Sequence, residues 1–228
     1  HLMTVDYMRY YPWGYSNMVE FKLLSYFVAY LYKFWHFFNS SITVQYVDVM
    51  YPVVCFVIAL VFFFLLVKKL FDYKIALLAS AFLTLVPAYL HRTMAGFSDK
   101  ESLGFVFMFA AFYFFVCAWQ DKDLRKNIMF GILSGLATGL MGLVWGGYSF
   151  VITTIGIFVL LEVLLDRVVE KNSYAYISWF IVFVFIMTVF RDYNLSMLIG
   201  SIYPAIDTIA FVIILLNLLI FKKDLLKI

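Results

Sequence analysis

Apolar residues follow one another almost without interruption over seven stretches: 50–67, 74–91, 103–119, 127–144, 148–166, 173–190 and 197–221. Each is close to the ~20 residues that an α-helix needs to cross the hydrocarbon core of a bilayer, so the pattern predicts about seven spans. Only Trp145-Gly146-Gly147 separates the fourth stretch from the fifth, which predicts a tight turn between antiparallel helices. The stretch 20–38 differs, because Lys22, Lys33 and His36 interrupt its Phe, Tyr and Leu residues. That mixture suits a helix lying in the membrane interface better than one crossing it. The division expected is a partial external loop with an interfacial helix over 1–49, then a transmembrane helical domain over 50–228.

Composition agrees. Hydrophobic residues make up 65% of the chain and charged residues 14%, and the mean hydropathy is +0.96. A soluble domain uses roughly 45–50% apolar residues, and a disordered chain uses fewer. Both are excluded, as is a coiled coil, and the spans leave no room for a large soluble domain. The net charge of +3 is spread by topology and gives no reason to expect nucleic acid as a partner. Eleven of the 17 Lys and Arg fall in alternate connections, around Lys68–Lys74, Lys122–Lys126, Arg167–Lys171 and Lys222–Lys227. The positive-inside rule makes those cytoplasmic. The N-terminal 49 residues, the 91–102 loop, the Trp-Gly-Gly turn and the Arg191–Asn194 loop then share the external face of a multi-pass protein in the cell membrane. Cys55 and Cys117 sit inside apolar runs and read as free buried thiols. The chain opens at His1, without Met or a signal peptide, and a fragment of a longer protein is expected.

One segment concentrates chemistry: Leu90-His91-Arg92-Thr93-Met94-Ala95-Gly96-Phe97-Ser98-Asp99-Lys100-Glu101. Asp99 and Glu101 are two apart, on one side of an extended segment but about 200° apart on a helix. Their hard oxygens suit Mg²⁺ or Mn²⁺, which usually share a site with water or phosphate, and Arg92 presents a planar fork to a phosphate. The same residues also spell a capping box, with Ser98 as N-cap and Glu101 as N3 of the next helix and Asp99 complementing its dipole. Composition and spacing leave both readings open. Trp145 and Tyr148 read either as an aromatic belt at the interface or as the lining of a headgroup site. Asp207, inside an apolar run after Pro204, is either an intramembrane functional carboxylate or a cap near the external edge. Glu162 and Asp166 approach the cytoplasmic end and read as interfacial. His36 and His91 have no partner at zinc-ligand spacing. Asn39-Ser40-Ser41 and Asn194-Leu195-Ser196 are short acceptor sequons that carry no functional weight.

The segment Arg92-Thr93-Met94-Ala95-Gly96-Phe97-Ser98-Asp99-Lys100-Glu101 resembles the second acidic motif of the catalytic subunit of oligosaccharyltransferase in its archaeal single-subunit form. Trp145-Gly146-Gly147-Tyr148-x-Phe150 and Tyr10-Tyr11-Pro12-Trp13-Gly14 resemble two further stretches of the same subunits, in the same order. The resemblance implies an all-α polytopic membrane protein of the class C glycosyltransferase (GT-C) type. It also implies transfer of an oligosaccharide from a polyprenyl (dolichyl) phosphate carrier to Asn in Asn-x-Ser/Thr, that is, protein N-glycosylation. Asp99 would bind a divalent cation, Mn²⁺ or Mg²⁺, Glu101 would complete the acidic site, and Arg92 would organise the carboxylates or the donor phosphate, making these three the candidate catalytic residues. Tyr148 and Trp145 would line the donor headgroup. Partners implied are the lipid-linked oligosaccharide donor, an acceptor polypeptide and membrane lipids. The family's first acidic motif, its late Glu and its C-terminal soluble domain are not matched here, which implies that these 228 residues are inactive alone. Asp6 resembles a later family position and is not a ligand. Two alternatives remain at this point. Another polyprenol-dependent enzyme of that fold would tend to carry its acidic pair in the first external loop. A transporter or channel would show paired charges across several spans, whereas only Asp207 stands out.

Overall fold

A computed structural model describes residues 4–8, 10–16, 23–191 and 193–225, without the side chains of residues 195 and 220–225. His1-Leu2-Met3, Arg9, Lys22 and Lys227 lie outside the described residues, as do the side chains of Lys222 and Lys223. A two-residue hairpin, β1 (Val5–Asp6) with β2 (Tyr15–Ser16), pairs antiparallel around the Tyr-Tyr-Pro-Trp-Gly stretch. All else of regular structure is helical: α1 (Leu23–Phe38), α2 (Val44–Leu70), α3 (Tyr73–Leu85), α4 (Pro87–Thr93), α5 (Lys100–Gln120), α6 (Leu124–Gly142), α7 (Tyr148–Leu164), α8 (Glu170–Arg191), α9 (Leu195–Gly200) and α10 (Ile202–Leu225).

Every expected apolar run is a helix, and the differences are breaks and ends. Among the described residues, four helices (α2, α5, α8 and α10) are long and apolar enough to cross a membrane, with the bent pair α3–α4 as a fifth. α6 carries Arg125 and Lys126 in its first turn, and α7 has 17 residues. The 74–91 run is cut at Val86, where the chain bends by 69°. Pro87 causes the cut: it forces the preceding residue into an extended conformation (φ −68°, ψ 115°) and then opens α4 at its first position. The last run is likewise divided, between α9 and α10. α2 begins six residues before the apolar run, because Thr43 accepts the Tyr46 N–H and caps it there. α1 rests Leu24, Phe27 and Leu31 against the α2 cluster, while Tyr26, Tyr30 and Phe34 stay exposed.

The packing centre lies between α5, α6 and α8. Gly131, Gly135 and Gly139 put a four-residue stripe of α6 against α8, where a Cβ at Gly139 would lie 2.8 Å from Ile186 Cβ. Such small residues let helix backbones approach where lipid supplies no hydrophobic drive. Two polar pairs cross this packing, as the membrane interior favours: Trp179 Nε1 donates to Thr138 Oγ1 at 3.0 Å, and Ser134 Oγ to the Ala111 carbonyl at 2.8 Å, while Asn127 Oδ1 and Ser173 Oγ are buried without a hydrogen-bond partner. Contacts also sort the helix ends. At one end Lys171 Nζ donates to the Asp121 carbonyl at 2.6 Å, and Asp72 and Asp123 cap α3 and α6. The Asp123 N–H, 2.9 Å from Asp121 Oδ1, holds the Asp121 carboxyl below its ordinary range. Asp72, Asp121 and Asp123 are therefore committed to helix starts and turns. The opposite end gathers the start of α2, the 94–99 loop and the 143–147 turn.

Candidate active site

α4 ends at Thr93, and the loop to α5 turns through Gly96, whose φ of +83° is a conformation that glycine takes without strain. α5 then starts one residue later than the capping box predicts. Asp99 is its N-cap, with φ −128° and ψ 157°, and its Oδ1 accepts the Lys100 N–H at 2.7 Å. The expected box does not form, because both of its side chains find charged partners elsewhere. Ser98 Oγ donates to Asp48 Oδ1 on α2 at 2.6 Å, and Glu101 turns to Arg92.

Arg92, in the last turn of α4, joins the two carboxylates. Its Nη1 donates to Asp99 Oδ2 at 3.3 Å and lies 2.7 Å from Glu101 Oε2. The second approach is an ion pair without hydrogen-bond alignment, so Glu101 Oε2 is buried with no hydrogen-bond partner. The side chains are 42%, 36% and 18% exposed for Arg92, Asp99 and Glu101. The guanidinium also lies over the Phe97 ring, 5.4 Å from its centre. An extended N-cap followed by the first helical turn thus brings both acidic groups to one cation, which a continuous helix, setting them about 200° apart, would not do.

The cluster borders an open cavity of about 510 Å³ lined by Pro87, Ala88, His91 and Arg92 of α4, Glu101 and Phe105 of α5, and Trp145. Trp145 is seated between two glycines: a Cβ at Gly104 would lie 2.8 Å from Cε3, and one at Gly147 would be 2.7 Å from Cδ2. Tyr148 does not line this cavity. Its ring packs on Phe183 and lies beneath the Arg191 guanidinium, 5.3 Å away, and Arg191 Nη1 donates to the Gly142 carbonyl at 2.8 Å. A cation there closes the C-terminal end of α6.

The other sequence candidates lie apart. Asp207 is fully buried in α10, not at an edge: Tyr176 OH donates to its carbonyl at 3.0 Å and lies 3.5 Å from Oδ1, while Oδ2 has no partner. His36 Nδ1 lies 3.1 Å from the Ile42 carbonyl, and the His91 ring lies tilted against that of Phe97. Both sequon asparagines use their side-chain oxygen locally, Asn39 for the Ser41 N–H and Asn194 as the cap of α9. Sequence reasoning missed Asp48 and Tyr51; the one available signal was a carboxylate beside the start of the first apolar run.

Two hard carboxylates brought together at one cationic group are a donor set that fits a divalent cation keeping water or phosphate on its remaining positions. Among the described residues no three His, Cys, Asp or Glu side chains come together, so this chain offers part of a ligand set.

The family model described as "Oligosaccharyl transferase STT3, N-terminal" matches residues 2–225. The STT3 subunit of the dolichyl-diphosphooligosaccharide–protein glycosyltransferase of Saccharomyces cerevisiae is 31% identical over 113 residues, which is 50% of this chain and 15% of that protein. The Schizosaccharomyces pombe subunit is 24% identical over 152 residues, 67% of this chain and 20% of that protein. In fold the chain resembles the Archaeoglobus fulgidus oligosaccharyltransferase crystallised with Zn and sulfate, with a TM-score of 0.76 at 23% identity, over 98% of this chain and 30% of that one. The same protein bound to an inhibitory peptide and a dolichol-phosphate gives a TM-score of 0.74 at 23% identity, over 98% and 28%. The chain therefore spans less than a third of these relatives. With all but a few residues of its length matched by the family model, the chain belongs to the STT3 oligosaccharyl transferase family.

Proposed function

We propose that this chain forms the N-terminal membrane part of an enzyme that transfers an oligosaccharide from a polyprenyl phosphate carrier to the side-chain amide of Asn in Asn-x-Ser/Thr. The observation that carries this is the Arg92–Asp99–Glu101 cluster, of which Arg92 and Glu101 line a cavity, in a chain of the STT3 family. A neighbouring structure holds dolichol-phosphate and an inhibitory peptide, another is tethered to an acceptor peptide containing an NVT sequon, and a third contains Zn and sulfate. In this reading the cluster faces the outside of the cell membrane.

Asp99 and Glu101 would hold Mn²⁺ or Mg²⁺, which when bound offsets negative charge developing on the leaving phosphate. Arg92, paired with both, keeps the two carboxylates side by side against their mutual repulsion. The carboxylates also orient the weakly nucleophilic acceptor amide while the glycosidic bond to phosphate breaks. Trp145 forms the apolar wall on which a sugar face can rest. Tyr148 supports that wall's turn from the Arg191 side.

The test is Asp99→Asn and Glu101→Gln in the full-length enzyme. Both are expected to lower Mn²⁺-dependent transfer to an Asn-x-Thr peptide tenfold or more, at least about 1.4 kcal/mol, with Asp99→Asn the more damaging. Near-normal, still metal-dependent transfer by Asp99→Asn would overturn the assignment.

A further inference from the structure

The acidic loop is tied at three points to the start of α2, some 50 residues away in the chain. Gly96 N–H donates to the Val49 carbonyl at 3.0 Å, Ser98 Oγ to Asp48 Oδ1 at 2.6 Å, and Tyr51 OH to the Asp99 carbonyl at 2.6 Å. Pro52 sits inside α2 and brings no N–H to the Asp48 carbonyl four residues back, opening the helix ladder where the loop docks. Tyr51 is fully buried, so its hydroxyl has been taken out of solvent to make this bond. The Asp99 carbonyl also accepts Ser102 Oγ at 2.8 Å.

A carbonyl held by two hydroxyls fixes the backbone plane of Asp99 and hence the direction in which its carboxylate leaves the chain. A single N-cap bond would hold α5's start without it. The Ser98–Asp48 tether fixes the residue just before, and the Gly96–Val49 tether fixes Gly96, where the chain is otherwise free to rotate. All three converge within four residues on the one carboxylate that Arg92 shares with Glu101.

We infer that Tyr51, backed by the Asp48–Ser98 pair, is a positioning residue for the acidic site: it aims the Asp99 carboxylate at the place where a divalent cation and the donor phosphate would meet. The inference rests on the acidic-site reading above. Tyr51 acts through the Asp99 backbone and touches no substrate.

The experiment uses the purified full-length enzyme and reads two quantities, Mn²⁺ binding from the free-ion electron paramagnetic resonance signal and transfer to an Asn-x-Thr peptide. Tyr51→Phe removes one oxygen and keeps the ring. It is expected to weaken Mn²⁺ binding at least fivefold and to lower kcat by a similar factor, with the peptide KM within twofold of wild type. Ser98→Ala, at an exposed position where folding is not at stake, is expected to change the same quantities in the same direction, and Ser98→Thr to restore them. Wild-type Mn²⁺ binding and kcat in both Tyr51→Phe and Ser98→Ala, with Asp99→Asn losing Mn²⁺ binding, would overturn the positioning role and leave the acidic site standing. Unchanged Mn²⁺ binding in Asp99→Asn would overturn the acidic site and this inference with it.

Discussion

Gly104→Ala sets two effects of known size against each other. In a helix interior, Ala is favoured over Gly by about 1 kcal/mol, so from helix propensity alone this substitution in α5 stabilises. The structure predicts the reverse. The new Cβ would lie 2.8 Å from Trp145 Cε3, 3.4 Å from Cδ2 and 3.5 Å from Cβ, whereas carbon atoms pack best at about 3.5–4.0 Å. The indole would have to retreat by about 0.7 Å, and Gly147 already crowds the same six-membered ring. Overpacking of this kind costs roughly 1–3 kcal/mol, so the net effect is a loss of about 1 kcal/mol. Gly146→Ala, where nothing lies within 4 Å of the added carbon, is the control and should stay within about 0.5 kcal/mol. Thermal unfolding in detergent, followed by helical circular dichroism, measures both. Combining Gly104→Ala with Trp145→Leu should recover part of the loss, because residues in contact couple by about 0.5–3 kcal/mol. A Gly104→Ala protein more stable than wild type by the full propensity gain, whether or not Trp145 is present, would refute the seating of the indole and with it the wall of the cavity.

Tyr176→Phe removes the hydroxyl that faces the buried Asp207 carbonyl and carboxylate and is expected to cost about 1–3 kcal/mol; an unchanged unfolding transition would exclude that bond as a tie between α8 and α10. Gly135→Ala sets a Cβ against the Trp179 carbonyl and 3.0 Å from Val182 Cβ, and a loss of about 1–3 kcal/mol is expected from overpacking. For topology, Ser98→Cys should react with an impermeant thiol reagent in intact cells and Lys122→Cys should not, against a silent background from the buried Cys55 and Cys117; the reverse pattern would place the acidic loop on the wrong side for the proposed reaction.

Helix positions were legible in the sequence because apolarity over some 20 residues is itself the requirement for a span. Breaks were less so. Pro87 is plain in the 74–91 run, yet a count of apolar residues is blind to the backbone, and the 69° bend comes from the backbone. The capping box failed for a tertiary reason: its Ser and Glu obey the local pattern, but Ser98 finds a charge-assisted hydrogen bond to Asp48, stronger than a neutral one, and Glu101 an ion pair with Arg92. Arg92, Asp99 and Glu101 were readable because they lie within ten residues of each other. Asp48 and Tyr51 were not, since only the packing of α2 against α5 brings them to the loop. Tyr148 and Trp145 looked alike in sequence and differ in the fold, where Trp145 faces the cavity and Tyr148 faces Arg191.

The residues that place the site are those that interrupt regular structure. Pro87 turns α4 so that Arg92 returns toward α5, Gly96 reverses the loop with its positive φ, Pro52 loosens the α2 ladder where that loop docks, and Gly104 and Gly147 make room for the indole. Within the hydrocarbon region such interruptions are costly, because a freed backbone group has no water to turn to. At a helix end they are inexpensive, and the unpaired donors and acceptors there become the means of holding a carboxylate in place. The uniform apolar spans therefore fix which end of each helix meets which, while the few Pro and Gly positions at one end turn that meeting point into a site.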